Sequence, residues 1–192
     1  AQITALITGA GETPADEWVP PGIPGYVPSR FDWASLAPQE RQQQARSRWD
    51  AARARGVAPA TLRLCTDASA NHHRTAIALI DQWRSVLGVE VELVELEWKA
   101  YLALRERPDD CDLLRFGWSA DYVDASAFLA LFSSGHAQNV PGYANPQFDA
   151  RIEAASREVD GDRRAALLRE AESLLLQDAA VDVAKDVAPG TP

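Results

Sequence analysis

"TLRLCTDASANHHRTAIALIDQWRSVLGVEVELVELEW", residues 61–98, decides the fold. Its first six residues, Thr61 to Thr66, form a short apolar run with β-branched ends, the composition of a strand. From 71 to 88, Ala76, Ile80, Trp83 and Leu87 recur at helical spacing, and Gly88 closes the helix. Val89, Val91 and Leu93 then alternate with Glu90 and Glu92, the period of a strand. The alternation slips, so that Val94, Leu96 and Trp98 share a face, and a bulge or strand end is expected near Leu93–Val94. Strand, helix and strand in this order make a parallel pair joined by a right-handed crossover.

Working outward, "KAYLALRER" (99–107) reads as a short helix stopped by Pro108, and "CDLLRFGW" (111–118) as a third strand. The result is a βαβαβ unit: an α/β fold with a mainly parallel sheet flanked by helices. Upstream, 38–56 is a charged helix with Pro38 at its start and Gly56 at its end. Residues 11–33 hold five prolines and three glycines, which predicts an extended loop anchored by Trp18, Tyr26 and Trp33. Residues 1–10 read as the end of a helix closed by Gly9. Downstream, helices are expected over 124–133, capped by Asp124 or Ser126, over 145–157, and over 161–178 with Leu167, Ala171 and Leu174 on one face. The tail from 182 to 192 loses periodicity and is expected to fray.

In parallel α/β sheets the carboxyl ends of the strands face the ligand cleft. That rule brings residues 66–73, Glu97 with Trp98, and the run Arg115–Asp121 to one edge. The last opens "RFGWSADYVDAS" (115–126), where an arginine, two large aromatics and two acids stand together. An aspartate there can neutralise an ammonium, an arginine can grip a carboxylate bidentately, and Trp or Tyr can form walls with a polar handle. On composition alone the favoured reading of the segment is a buried strand end with a satisfied aspartate.

Charge narrows the function classes. Nineteen basic against twenty-eight acidic residues give a net charge of −9. That argues against nucleic acid, which needs a basic face, and against an anionic membrane surface. No apolar run is long enough to span a bilayer. Methionine is absent and no leader peptide is visible, so the start, "AQITALITGAGETP", reads as cut or processed. Cys65 and Cys111 stand far apart without metal-site or redox spacing; the favoured reading is two small buried hydrophobes, with a disulfide as the alternative.

Catalytic and metal signatures are weak. "GWSAD" carries Ser119 but lacks the second glycine of a nucleophile elbow. His72 and His73 are adjacent, so on a helix they diverge by about 100° and cannot share one metal. No phosphate-binding glycine motif follows a strand. No metal, cofactor or enzymatic activity is expected.

Four segments together resemble one family. They are "GETPADEWVPPGIPGY" (11–26), "ANHHRTAIALIDQWRSVLGVEVELVELEWKAYL" (70–102), "CDLLRFGWSADYVDASAFLALF" (111–132) and "NPQFDARIEAASREVDGDRRAALLREAESLLLQDAAV" (145–181). They are similar to the second, C-terminal lobe of the periplasmic oligopeptide-binding proteins of ABC importers, the peptide/nickel class of solute-binding proteins. The resemblance implies a lobe of the periplasmic-binding-protein type II fold over 1–181, with the first lobe outside these residues. It implies a monomeric, extracytoplasmic receptor that closes on an oligopeptide and hands it to a membrane permease. It also implies roles: Asp121 matches the aspartate that holds the peptide's α-ammonium, Arg105 and Arg115 match arginines of the side-chain pockets or carboxylate end, Trp98 and Trp118 match pocket walls, and His72 matches a histidine that meets a ligand carboxylate. Ser119 departs from relatives that have a disulfide-bonded cysteine there. Relatives of the class bind nickel chelates, haem, murein peptides or sugars, so another solute is the alternative ligand. A lobe used alone as an interaction or sensory module is the other alternative.

Overall fold

The computed structural model describes residues 13–106, 110–180 and the backbone of 186–187. The expected helix end over 1–10 and most of the 182–192 tail lie outside the described residues. In chain order the elements are β1 Thr13–Pro14, α1 Pro38–Ala54, β2 Thr61–Asp67, α2 Ala70–Leu87, β3 Glu90–Leu96, α3 Trp98–Arg105, β4 Leu113–Leu114, α4 Ser126–Leu129, α5 Pro146–Arg157, α6 Gly161–Gln177 and β5 Asp186–Val187. They divide into two compact units, one built on Ser35–Phe116 and one joining Glu12–Ala34 with the chain from Gly117 onward.

The first unit is the expected βαβαβ arrangement. Its sheet has the order β3-β2-β4, all parallel. Ser69 caps α2 by accepting a hydrogen bond from the His72 N–H at 3.2 Å, and Gly88 ends it in the left-handed conformation at φ 66°. Ala76 and Ile80 of α2 bury against Leu64, Val89 and Val91, with Trp49 of α1, Trp83 and Leu93 packed around them.

Three expectations are corrected here. No bulge interrupts β3: its register against β2 runs unbroken from Thr61↔Glu90 to Asp67↔Leu96. The apolar residues change face because the cover changes, Val91 and Leu93 facing the α2 core while Val94 and Leu96 share a hollow with Ala100, Ala103 and Leu104 of α3. The strand expected over 111–118 is only Leu113–Leu114. Beyond it the Arg115 N–H still bonds the Cys65 carbonyl at 2.9 Å, but no further pair of this ladder forms, although β2 runs on to Asp67. Cys65 and Cys111 are not separate thiols but a disulfide, with Cα atoms 6.0 Å apart. Parallel pairing of β4 beside β2 sets Leu114 against Cys65 and carries Cys111 alongside.

The second unit is built on the packed pair α5 and α6, with α4 continuing into a 3₁₀ turn, Ala130–Phe132. Asn145 and Asp160 cap α5 and α6 by accepting hydrogen bonds from backbone N–H groups. The N-cap of α4 is Ala125, neither of the two residues expected for it; Asp124, one residue earlier, takes the Ser126 N–H at 2.8 Å. The buried stripe of α6 is Leu168, Ala171, Glu172, Leu175 and Leu176, one position on from the expected Leu167 and Leu174 face. A carboxylate, Glu172, is turned inward, and an apolar-period argument cannot see that. The proline-rich segment docks through Val19, Ile23, Tyr26 and Phe31, all buried, and Thr13–Pro14 pairs antiparallel with Asp186–Val187. Trp18 donates from Nε1 to the Phe128 carbonyl at 2.8 Å and meets the Phe132 ring edge-on at 5.1 Å.

Asp124 also takes both guanidinium nitrogens of Arg164, each at 2.8 Å. The Arg164 hydrogen bonds hold the Asp124 carboxyl well below the usual aspartate range against the opposing effect of burial. A depressed native-state pKa stabilises above the unfolded-state value and is lost as pH falls below it, here the ordinary 3.8. Asp124→Asn therefore costs about 2 kcal/mol at pH 7 and progressively less below pH 4, read by urea unfolding across pH. A cost that does not change with pH would rule out the ion pair as its source.

Candidate functional site

The site forms where β2 ends. Asp67, the last residue of β2, is buried, with an 11% exposed side chain. The chain turns there into α2: the Ser69 N–H bonds the Asp67 carbonyl at 2.9 Å and the Ala68 N–H bonds the Leu96 carbonyl at 2.9 Å. The turn sets His72 in the first turn of α2, five residues on from Asp67, with Nδ1 2.6 Å from Asp67 Oδ1. Arg115, just after β4, reaches the same oxygen with Nη1 at 4.0 Å. Two of the six residues singled out in the sequence thus meet around a carboxylate that was not singled out.

A second layer comes from α3. Tyr101 is buried and its hydroxyl donates to the Arg115 carbonyl. Burial pushes the Tyr101 hydroxyl above its usual range, while Arg105 and Arg115 pull it back. Trp98 stacks on Tyr101 with centroids 5.9 Å apart and leaves 54% of its surface exposed. Arg105 lies with its guanidinium carbon 4.7 Å from the centre of the Phe116 ring, a cation–π contact. His72, Trp98, Arg105 and Arg115 therefore all belong to one cluster of the first unit, organised by Asp67 and Tyr101. His73 faces elsewhere, with Nδ1 3.0 Å from Glu95 Oε1, as the divergence of adjacent helical residues requires.

The other two residues, Trp118 and Asp121, belong to the second unit. Trp118 is half-buried and donates from Nε1 to the Ala127 carbonyl at 2.8 Å, which fixes its ring in the loop before α4. Asp121 is exposed, and among the described residues its carboxylate has no hydrogen-bond or ion-pair partner. Tyr122 and Val123 beside it are also exposed, at 57% and 77%. This is not the satisfied strand end that composition allowed. The segment presents a free carboxylate and apolar surface together.

The chemistry is that of recognition. A carboxylate accepts, a guanidinium donates, an imidazole does either, and two indoles offer apolar faces. Among the described residues no group of three or more His, Cys, Asp or Glu side chains could hold a metal ion. Asp67 and Tyr101 escaped the sequence reading, although Asp67 could have been found as the acid closing the first strand, five positions before a histidine.

The sequence model of the bacterial extracellular solute-binding proteins, family 5 Middle, matches residues 1–139. The chain is 32% identical over 179 residues to the periplasmic murein peptide-binding protein MppA of Escherichia coli K12, covering 93% of this chain and 33% of that protein. It is 35% identical over 167 residues to the probable deoxycholate-binding periplasmic protein YgiS of the same organism, covering 87% of this chain and 31% of that one. The solved structure of the Escherichia coli murein tripeptide-binding protein superposes with a TM-score of 0.86 at 32% identity, over 93% of this chain and 35% of that one. Haemophilus influenzae OppA in complex with the peptide RPPGFSPFR superposes with a TM-score of 0.85 at 27% identity, again over 93% and 35%. The chain spans about a third of the length of the curated relatives it matches.

Proposed function

This chain belongs to the bacterial extracellular solute-binding proteins of family 5, and on that premise we propose that it is the ligand-facing second lobe of an oligopeptide receptor that feeds an ABC importer. The lobe comprises both units. It binds and releases its ligand and carries out no chemistry on it, in keeping with a family whose members are binding proteins. The observation that carries the reading is Asp121, an exposed carboxylate without a protein partner beside the fixed indole of Trp118. Asp121 takes the peptide's α-ammonium. In the first unit, Arg105, Arg115, Trp98 and His72 offer the donors, acceptor and apolar face that peptide groups take, each contact being stronger where water is excluded.

The Cys65–Cys111 disulfide supports an extracytoplasmic location, because such bonds persist in oxidising compartments. The two Escherichia coli relatives above are named as periplasmic. The permease is the partner of the full receptor, which works as a monomer.

The test is calorimetric titration of the full-length protein with tri- and tetrapeptides. Asp121→Asn keeps the shape and removes the charge, and weakens binding by about 2 kcal/mol. Blocking the peptide's amino group by acetylation weakens the wild type equally and the variant no further. Unchanged affinity in Asp121→Asn would sink the role of Asp121. A second reading, that the same fold takes a non-peptide solute, is favoured by the relative named as probably deoxycholate-binding. Thermal stabilisation of the full-length protein by deoxycholate and by no peptide would select it.

A further inference from the structure

Asp67 sits beneath residues that the proposed function places in contact with ligand, and it cannot itself be a ligand-facing group of any size, since its side chain is only 11% exposed. What it touches is His72, with Nδ1 2.6 Å from Oδ1, and Arg115, with Nη1 4.0 Å from the same oxygen. We propose that Asp67 is a positioning residue of this subsite, which holds the His72 ring by its Nδ1–H and so leaves Nε2 as the atom that meets the ligand. The proposal rests on the peptide-receptor reading above and assigns within it the polarity of one subsite.

The argument is one of hydrogen-bond inventory. A carboxylate only accepts, so the ring nitrogen facing it must carry the proton in the neutral and in the charged ring alike. Neutral His72 therefore has its proton on Nδ1 and a lone pair on Nε2. Among the described residues Nε2 has no hydrogen-bond partner, and the ring keeps 27% of its surface exposed. Such a ring accepts from a peptide N–H or a ligand hydroxyl. It donates to a carboxylate only as imidazolium. Asp67 also lies 4.0 Å from the Arg115 guanidinium and offsets part of its charge.

The geometry is held in place before any ligand arrives. Asp67 is registered against Leu96 by the parallel sheet, and His72 is seated by the bond from its own N–H to Ser69 Oγ at 3.2 Å. The neighbouring imidazole does not compete, because His73 has its own acid in Glu95. The charged or titratable groups that bear on Asp67 from the other packed elements are Arg115, after β4, and Tyr101, on α3. Neither offers the carboxylate an alternative to His72 at hydrogen-bond distance.

The experiment uses full-length protein with nitrogen-15 histidine. Long-range proton–nitrogen correlation spectra report the tautomer of His72, assigned by its loss in His72→Ala. The wild type shows Nδ1–H, and Asp67→Asn loses this preference, because an amide can turn to donate as well as accept. Asp67→Asn weakens peptide binding about tenfold when His72 is present and less than about twofold in the His72→Ala background, the coupling expected when one residue acts through another. An Nε2–H tautomer in the wild type overturns the proposal, as does an equal loss of affinity from Asp67→Asn with and without His72. If the wild type binds no peptide while His72 shows Nδ1–H, the peptide-receptor reading fails and takes the ligand half of the proposal with it, while the hold of Asp67 on the ring stands.

Discussion

Glu172→Ala destabilises the second unit by about 4 kcal/mol, the largest effect of any single substitution considered. Glu172 is fully buried on α6, and four donors converge on it. Oε1 takes the backbone N–H groups of Trp18 at 3.2 Å and Val19 at 2.7 Å, and Oε2 takes the Tyr26 hydroxyl and the Ser29 N–H, both at 2.7 Å. Burial pushes the Glu172 carboxyl up, and the same four hydrogen bonds pull it back. Alanine leaves those donors buried without an acceptor, at about 1–3 kcal/mol for each that water cannot reach, and opens a cavity besides. Glu172→Gln separates the causes. Its oxygen still serves one pair of donors, while its amide turns N–H groups toward the other pair. The Tyr26 hydroxyl can rotate to accept, but the Ser29 N–H cannot, so glutamine costs about half as much. Urea unfolding of the three proteins, followed by tryptophan fluorescence, gives the order wild type, Gln, Ala. An alanine variant within 1 kcal/mol of wild type would mean that water replaces the carboxylate and that the hub is not structural.

Removing the disulfide as the paired variant Cys65→Ser, Cys111→Ser lowers the stability of the first unit by about 4 kcal/mol in the chain-entropy account, given the 46-residue separation it closes. The bond does more than restrict the unfolded chain. It ties the segment before β4 to the middle of β2, and β4 itself is only two residues long. The pairs that extend this strand's grip are the Asp112 N–H to the Arg63 carbonyl at 3.1 Å and the Arg115 N–H to the Cys65 carbonyl at 2.9 Å. Without the covalent tie, only non-covalent contacts hold Arg115 beside Asp67, these bonds and the one from the Tyr101 hydroxyl among them. The double variant is therefore expected to exchange the Arg115 amide proton faster than the amides of β3, whose seven residues pair with β2 along their whole length. Equal protection of both would show that β4 needs no tie.

How much of this was legible in the sequence follows from which signals are local. The βαβ stretch was plain because period-3.6 and period-2 patterns stand side by side between Thr61 and Leu96, with Gly88 to punctuate them. The length of β4 was not, because an apolar run marks where a strand can form and not how many of its residues pair, here only Leu113 and Leu114. The disulfide was not, because the spacing of Cys65 and Cys111 carries no motif and only the parallel register brings them together. Glu172 was invisible for a different reason: a charged residue in a helix reads as solvent-facing unless the loop that satisfies it is known. Among the candidate residues, His72, Trp98, Arg105, Arg115, Trp118 and Asp121 came from side-chain chemistry and family resemblance. The supporting Asp67 and Tyr101 came only from coordinates, since positioning residues announce themselves by contacts rather than by type.

The four bonds to Glu172 link residues 143 to 154 positions apart, whereas the described strands and helices of the first unit all lie between Pro38 and Leu114. The two units must therefore mature on different schedules as the chain leaves the ribosome. The first can close its sheet once Phe116 has emerged. The proline-rich segment before it has no acceptor for the Val19 and Ser29 amides until α6 has been made. Long-range pairings of this kind form late and slowly. The segment around Trp18, apolar and unsheltered in that interval, is where a chaperone would be needed first.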